Sequence, residues 1–138
     1  MPAYQVITPP DQEAQKYGIP PGLRAKLLRT HPDRIGVNEG KITGLDYNLW
    51  YDFLLTAPEF LATIKYSLDQ RRKGNHAPML FGMHSGIYSS LAQPVGVSLN
   101  DRRKAIADFL NYALTYPEVR VVTTKAVLDW IRNPVALK

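Results

Sequence analysis

The chain has 138 residues, and its content of 45% hydrophobic and 21% charged residues is typical of one globular domain with a modest core. It contains no cysteine, which excludes disulfide bonds and thiolate metal sites, and it has no apolar stretch long enough to span a bilayer. The first residues lack the basic and apolar regions of a signal peptide. We therefore predict a soluble chain without a membrane partner, and its compartment stays open.

The net charge of +5 is spread over three basic clusters rather than gathered in one patch. They are Arg24, Lys26 and Arg29; Arg71, Arg72 and Lys73; and Arg102, Arg103 and Lys104. No aromatic residues alternate with these clusters, as they would in a surface on which bases stack. We interpret the clusters as solvent-exposed helix faces and helix ends, and we predict no nucleic-acid partner.

The chain is predicted to open with a buried strand, Ala3 to Ile7, which begins almost at the first residue. A domain seldom starts in this way, so we expect the chain to be a piece of a longer protein. Residues 11–44 are rich in proline, glycine and charge. We predict a long loop there with one short helix, Gly22 to Arg29, and long loops in compact domains are often functional.

Apolar residues at helical spacing predict four further helices. The first spans Leu45 to Leu55, and the second runs from Thr56, which has a glutamate at capping-box spacing, to about Arg72. The third begins at Ser98 and ends near Thr115, and the fourth spans Lys125 to Arg132. The side chains predicted to be buried are Phe60, Leu61, Ile64, Leu68, Ile106, Phe109, Leu110, Ala113, Leu114, Val127, Leu128 and Ile131, together with Trp50 and Trp130.

Two apolar runs between these helices predict strands. Met79 to Met83 is a continuous apolar run bounded by turn signals, which suits a strand buried on both faces. Val119 to Val122 is short and β-branched. The resulting β-α-β-α order favours parallel strands with flanking helices, so we predict an α/β fold that forms part of a distorted (β/α) barrel within a single domain, residues 1–138.

His84 is the candidate catalytic residue because it follows the predicted central strand directly. Side chains at the carboxyl ends of parallel strands carry the chemistry of many α/β folds. The alternative is a histidine that is simply hydrogen-bonded at a strand end. We interpret His31 as a solvated loop residue and His76 as a turn residue. Ser85 lacks the Gly-x-Ser-x-Gly pattern of a hydrolase nucleophile.

The second half of the chain resembles the polysaccharide deacetylase superfamily, which includes chitin and peptidoglycan deacetylases. The resemblance covers roughly Leu68 to Leu137. It rests on Gly74 to Pro78, on Gly82-Met83-His84-Ser85, on the helix from Asn100 to Leu110, and on the tail from Pro117 to Pro134. The order and spacing of these short motifs carry the similarity. The resemblance implies that the chain is the C-terminal part of such a catalytic barrel.

The resemblance also implies a role for four residues. His84 would be the general acid in the hydrolysis of N-acetyl groups on amino sugars, and Gly82, Ser85 and Tyr88 would contact the carbohydrate. The family uses a divalent metal, zinc or a similar ion, held by an aspartate and a paired-histidine motif. That motif is missing, because no two of the three histidines are four residues apart.

Two functions therefore remain open. In the first, the chain supplies the general acid of a metal-dependent deacetylase, whose metal and base come from a missing N-terminal half, and the isolated chain is inactive. In the second, the chain is a non-catalytic module for carbohydrate binding or assembly. The expected partners are a carbohydrate substrate and either the missing half or further copies of the chain.

Overall fold

The computed structural model describes residues 5–34, 36, 39–74, 77–93 and 95–135. Its elements in chain order are β1 (Gln5–Ile7), α1 (Asp11–Ala14), a 3₁₀ helix (Gln15–Tyr17), α2 (Leu23–Thr30), β2 (Lys41–Thr43), a π-helical turn (Asn48–Asp52), α3 (Ala57–Lys73), a second 3₁₀ helix (Ser85–Tyr88), α4 (Leu99–Leu114) and α5 (Thr124–Arg132). Within these ranges, no helix is both long enough and apolar enough to cross a bilayer.

The predicted barrel of parallel strands is wrong. The described strands are β1 and β2, which pair antiparallel with Val6 opposite Ile42. The predicted first strand is thus confirmed for residues 5–7, and its first two residues lie outside the described ranges. Its partner β2 lies in the segment that we predicted as a loop. Three residues with one buried side chain give too short a pattern to be recognised in sequence.

Both other predicted strands are wrong as well. Residues 79–83 form only a single parallel bridge, between Gly82 and Leu45. Residues 119–122 belong to no strand, and the side chains of Val121 and Val122 are exposed. A strand requires a neighbour along its length for its backbone hydrogen bonds. The described part of the chain gives residues 79–83 only this one bridge and pairs no strand with residues 119–122.

Helix α3 is the centre of the fold. The predicted capping box at its start is confirmed, with Thr56 and Glu59 bonded reciprocally. One face of α3 packs on α4, and another packs on β1, where the Ser67 hydroxyl accepts from the Ile7 amide at 2.8 Å. Trp50 stacks on Phe60 with the ring centroids 4.1 Å apart, and both side chains are fully buried, as predicted for them.

Some burial predictions fail. Helix α5 is amphipathic, but Leu128, Trp130 and Ile131 are about half exposed and no residue of the helix is buried. Leu114, at the end of α4, is also exposed. The periodicity of an apolar stripe shows which face would be buried, but it does not supply the element that would cover that face.

Two of the basic clusters contain a residue that is buried rather than exposed. The guanidinium of Arg71 donates to the carbonyls of Pro78 and Gln5, and Arg102 donates to the Tyr51 hydroxyl. Both side chains are at least 95% buried. Each therefore links a helix to a neighbouring segment, which the pattern of adjacent basic residues did not indicate.

Candidate proton-transfer site at His84

The site forms where two segments that are far apart in sequence, one at Leu45 and one at Gly82, meet. Leu45 and Gly82 form the parallel bridge, and the Asp46 amide donates to the Gly82 carbonyl at 3.0 Å. The contact is so close that a Cβ atom on Gly82 would lie 2.4 Å from Cδ2 of Leu45. Glycine at position 82 therefore leaves room for the Leu45 side chain where Asp46 comes beside His84.

A buried carboxylate holds the imidazole of His84. Oδ1 of Asp46 lies 2.6 Å from Nδ1 of His84, and Oδ2 accepts from the His84 amide at 2.8 Å. Oδ1 also accepts from the Tyr47 amide at 2.7 Å. Asp46 is completely buried, whereas the His84 side chain is 59% exposed. Asp46 thus holds the His84 ring from the protein interior, and much of the ring faces solvent.

This geometry determines which ring nitrogen is available for chemistry. An ionised carboxylate only accepts hydrogen bonds, so the chemistry of the pair assigns the proton of the neutral ring to Nδ1. Nε2 makes no hydrogen bond to any described residue. It can therefore take a proton from a bound molecule or, when the ring is cationic, donate one. The carboxylate orients the ring, as in carboxylate–histidine pairs generally.

One aromatic ring stands beside the imidazole, and a second ring stacks on the first. Tyr47 meets His84 edge to face with the ring centroids 6.4 Å apart, and it stacks on Tyr51 at 5.2 Å. The hydroxyl of Tyr51 accepts from Arg102 at 3.2 Å and donates to the Gln93 carbonyl at 2.9 Å. Tyr47 is half exposed, so its ring offers apolar surface next to the imidazole.

Tyr88 supports the site from within. Its hydroxyl accepts from the Trp50 indole at 3.1 Å and lies against Asp46. Burial raises the pKa of Tyr88 well above its ordinary value, and the neighbouring Asp46 raises it further. The phenol therefore stays neutral. Tyr88 is partly buried, so its predicted role as a sugar-stacking residue stays a prediction, and its observed contacts are structural.

The remaining candidate residues lie around the imidazole. Ser85 begins the 3₁₀ helix directly after His84 and is exposed. Gly86 follows it, and a Cβ atom placed there would meet no neighbour within 4 Å. Gly82, two residues before His84, forms the bridge to Leu45. The predicted contacts of Gly82 and Ser85 with a carbohydrate stay predictions.

The other histidines do not join this site. The prediction of a solvated His31 is wrong, because its ring packs on Phe53 at 4.9 Å and lies 3.5 Å from Asp52. His76 falls outside the described residues. Among the residues that the structure describes, no group of three or more histidine or acidic side chains lies close enough to hold a metal ion. The described residues thus do not fit the divalent metal that the resemblance implies.

Asp46 is the residue of the candidate site that the sequence interpretation missed. It lies between Leu45 and Tyr47 in an apolar and aromatic segment, and we assigned that segment only as a helix. A carboxylate in such surroundings must find hydrogen-bond partners if it is buried. That requirement was the available signal, but nothing in the sequence indicated that the partner would be His84.

A groove of about 1000 Å³ lies between the first 3₁₀ helix, α3 and α4. Tyr17, Lys65 and Tyr112 contribute to its lining, and His84 does not. The groove and the histidine site are therefore separate features of the surface. Comparison of the chain with family models, with curated proteins and with solved structures found no match.

Proposed function

We propose that the chain supplies the proton donor for hydrolysis of the N-acetyl groups of amino sugars, in an enzyme whose metal ligands lie outside the described residues. The observation that supports this proposal most directly is the buried Asp46 carboxylate against Nδ1 of an exposed His84. Amide hydrolysis requires a proton for the departing amine, and imidazole is suited to that task near neutral pH.

The surroundings of His84 support a sugar as the substrate class. The ring of Tyr47 stands beside the imidazole, and aromatic rings present an apolar face to the CH groups of a pyranose. The backbone at Gly86 is open, so no side chain blocks the approach on that side. In this arrangement Tyr47 orients the sugar, Nε2 of His84 delivers the proton, and Asp46 stabilises the imidazolium.

A non-catalytic carbohydrate-binding module is the second candidate function. The stacked Tyr47–Tyr51 pair favours it, because the pair can hold a sugar ring without any chemistry at His84. The two functions share a binding surface and differ in whether acetate is released.

Binding of a chitin oligomer, followed by amide chemical shifts, tests both functions. We expect shifts at Tyr47, His84 and Gly86 in the wild-type chain. His84→Ala should lose most of the shift at these positions, whereas His31→Ala, which changes a histidine that contacts neither Asp46 nor His84, should keep it. A chain with no shifts at this surface, with either chitin or peptidoglycan fragments, has neither of the two proposed functions.

Acetate release separates the two functions. We expect the isolated chain to release no acetate from chitin oligomers when zinc or cobalt is added, because the described residues form no metal site. Acetate release that depends on metal and is abolished by His84→Ala would show that the chain needs no further part. Substrate binding with acetate release only after a metal-bearing partner is added would support the catalytic proposal over the binding module.

A further inference from the structure

The groove between the first 3₁₀ helix, α3 and α4 is lined by three tyrosines whose positions are fixed. The hydroxyls of Tyr17 and Tyr112 both donate to Oδ2 of Asp69 at 2.7 Å, and the Tyr116 hydroxyl donates to that of Tyr112 at 2.9 Å. Because these hydroxyls are already bonded, the tyrosines offer a ligand mainly their apolar ring surface, which is held in place before binding. We call this feature the tyrosine groove.

Two lysines that line the tyrosine groove, Lys16 and Lys65, have no acidic partner in the part of the chain that the structure describes. Lys65 lies one helical turn before Asp69, a spacing at which side chains on a helix meet. The Asp69 carboxylate instead accepts from the two tyrosines and lies 3.5 Å from Arg72. Nζ of Lys65 lies 4.7 Å from the centre of the Tyr112 ring. Lys65 is partly buried, so its charge has lost part of its hydration without gaining a carboxylate.

Lys16 has similar surroundings at the first 3₁₀ helix. Its Nζ lies 5.6 Å from the centre of the Tyr17 ring. Glu13, the acidic residue three positions earlier, accepts from the Tyr66 hydroxyl at 3.2 Å. Contacts between an exposed ammonium group and a tyrosine ring are weak. A carboxylate that enters the groove can therefore bind both lysines without breaking an existing ion pair.

The other charged residues that line the groove already have local partners. Lys104 pairs with Asp108 at 2.7 Å, and Asp101 is bonded within the N-terminal cap of α4. Three lysines thus line the groove against two aspartates. The positive charge that no described side chain neutralises lies with Lys16 and Lys65, beside the tyrosine rings.

We propose that the tyrosine groove binds a small aromatic carboxylate, whose ring packs on the tyrosine rings and whose carboxylate is bound by Lys16 and Lys65. The volume of about 1000 Å³ is at the upper end of the range for small-molecule sites. A neutral aromatic molecule would leave the two lysines without a counter-charge, and an anion without a ring would leave the tyrosine rings uncovered. This binding does not depend on the proposed function, because His84 does not line the groove.

Titration with 2-naphthoate, followed by the amide chemical shifts of Gly18 and Gly96 in the groove lining, tests the proposal. We expect a dissociation constant of about 0.1–1 mM, as suits a ligand of this size. 2-Naphthamide has the ring without the charge, and acetate has the charge without the ring. Each should bind about tenfold more weakly or worse. Equal binding of naphthoate and either of these probes, or no shift at the two glycines, would overturn the proposal.

Matched substitutions locate the bound carboxylate. Lys65→Met removes the charge from a side chain of similar length and should weaken naphthoate binding about tenfold, with naphthamide binding unchanged. Lys65→Arg keeps the charge and should retain most of the affinity. Lys73→Met removes the same charge from an exposed lysine outside the groove and should affect neither probe.

Thermal unfolding checks that each of these variants folds. Naphthoate binding that is unchanged in both Lys65→Met and Lys16→Met would place the anion elsewhere and refute the proposal. An equal loss of affinity in Lys73→Met would refute it as well, because the attraction would then come from the net charge of the chain and not from the groove.

Discussion

At the scale of single residues, the buried carboxylate of Asp46 requires hydrogen-bond donors around both of its oxygens. Its carboxylate is fully buried, and it accepts from the Tyr47 amide, from the His84 amide and from the His84 ring. Every one of these partners is a donor, so both oxygens must remain acceptors. A side chain with one donor in place of an oxygen cannot satisfy this arrangement in either orientation.

We therefore expect Asp46→Asn to lower the free energy of unfolding by about 1–3 kcal/mol, the cost of leaving a buried polar group unsatisfied. Asp52→Asn, six residues further along the chain, is the matched control, because Asp52 is partly exposed and is bound only by side chains. An exposed ion pair of this kind contributes at most about 1 kcal/mol. Chemical denaturation monitored by circular dichroism measures both changes.

Equal and small losses in the two variants would contradict the arrangement around Asp46. It would mean that the carboxylate is free to turn towards solvent in the folded chain. A larger loss in Asp46→Asn, together with an unchanged fold, would show that the pair with His84 is part of what holds the two crossing segments together.

At the scale of elements, the two threonine caps differ in what they stabilise. Thr56 begins α3 and accepts from the Glu59 amide at 3.3 Å, while Thr123 begins α5 and accepts from the Ala126 amide at 3.2 Å. The local bonds are nearly the same. Helix α3 lies in the core, however, whereas no residue of α5 is buried.

We expect Thr56→Ala to lower the free energy of global unfolding by about 1 kcal/mol, the usual value for a lost N-cap. Thr123→Ala should leave global unfolding nearly unchanged, because a nine-residue helix without buried contacts frays independently of the core. Its effect should instead appear as faster amide exchange within α5.

Denaturant unfolding and native-state amide exchange measure these two responses separately. If Thr123→Ala reduced global stability as much as Thr56→Ala does, α5 would have to be coupled to the core through contacts that the described residues do not show. Slow exchange in wild-type α5, comparable to that in α3, would lead to the same conclusion.

The elements also show which features the sequence could predict. Helices α3 and α4 were predicted because their caps and apolar stripes are local patterns, confirmed at Thr56 and at Ser98. Strands depend on partners that are distant in sequence, so the apolar runs 79–83 and 119–122 were misassigned, and β2 was missed. The prediction of a parallel barrel was wrong for the same reason, because it rested on the alternation of those runs with helices.

Of the two residues that form the candidate site, the sequence predicted His84 and missed Asp46. The position of His84 after an apolar run, before polar and glycine residues, identified it as the titratable residue. Its exposure is consistent with that choice. Asp46 was missed because the pairing depends on the crossing at Gly82, a contact that no local pattern encodes. The burial of Arg71 and Arg102 was missed for the same reason.

At the scale of the whole molecule, Asp69 joins three elements. Its buried carboxylate accepts from the Tyr17 hydroxyl and from the Tyr112 hydroxyl, each at 2.7 Å. Tyr17 belongs to the first 3₁₀ helix, Asp69 to α3 and Tyr112 to α4. Burial raises the pKa of both tyrosines, and hydrogen bonding raises it further, with Asp69 contributing in each case. The neutral phenols therefore help to hold these elements together.

This network predicts an alkaline loss of stability. A tyrosine whose pKa is raised in the folded state binds its proton more tightly there than in the unfolded chain. The stability that it contributes is complete below its unfolded pKa of 10.0 and is lost as the pH rises towards the folded value. We expect the free energy of unfolding to fall as the pH rises from about 9 to about 11.

Tyr112→Phe tests the origin of this loss. The variant should cost about 1–3 kcal/mol at neutral pH, because the lost hydroxyl donates to Asp69 and accepts from Tyr116. Its alkaline loss should be smaller than that of the wild-type chain. Urea unfolding at a series of pH values measures both quantities. An unchanged alkaline slope in Tyr112→Phe would show that groups outside this network are responsible.

The crossing at Gly82 has a consequence for how folding of this chain can be followed. Asp46 and His84 are separated by 38 positions, so a compact but incorrectly arranged chain would not bring the two together. The electronic environment of the solvent-accessible His84 ring thus reports whether the contact between these two distant segments has formed. A proton NMR spectrum of the histidine ring, recorded during refolding, would therefore time the closure of the tertiary structure without any attached label.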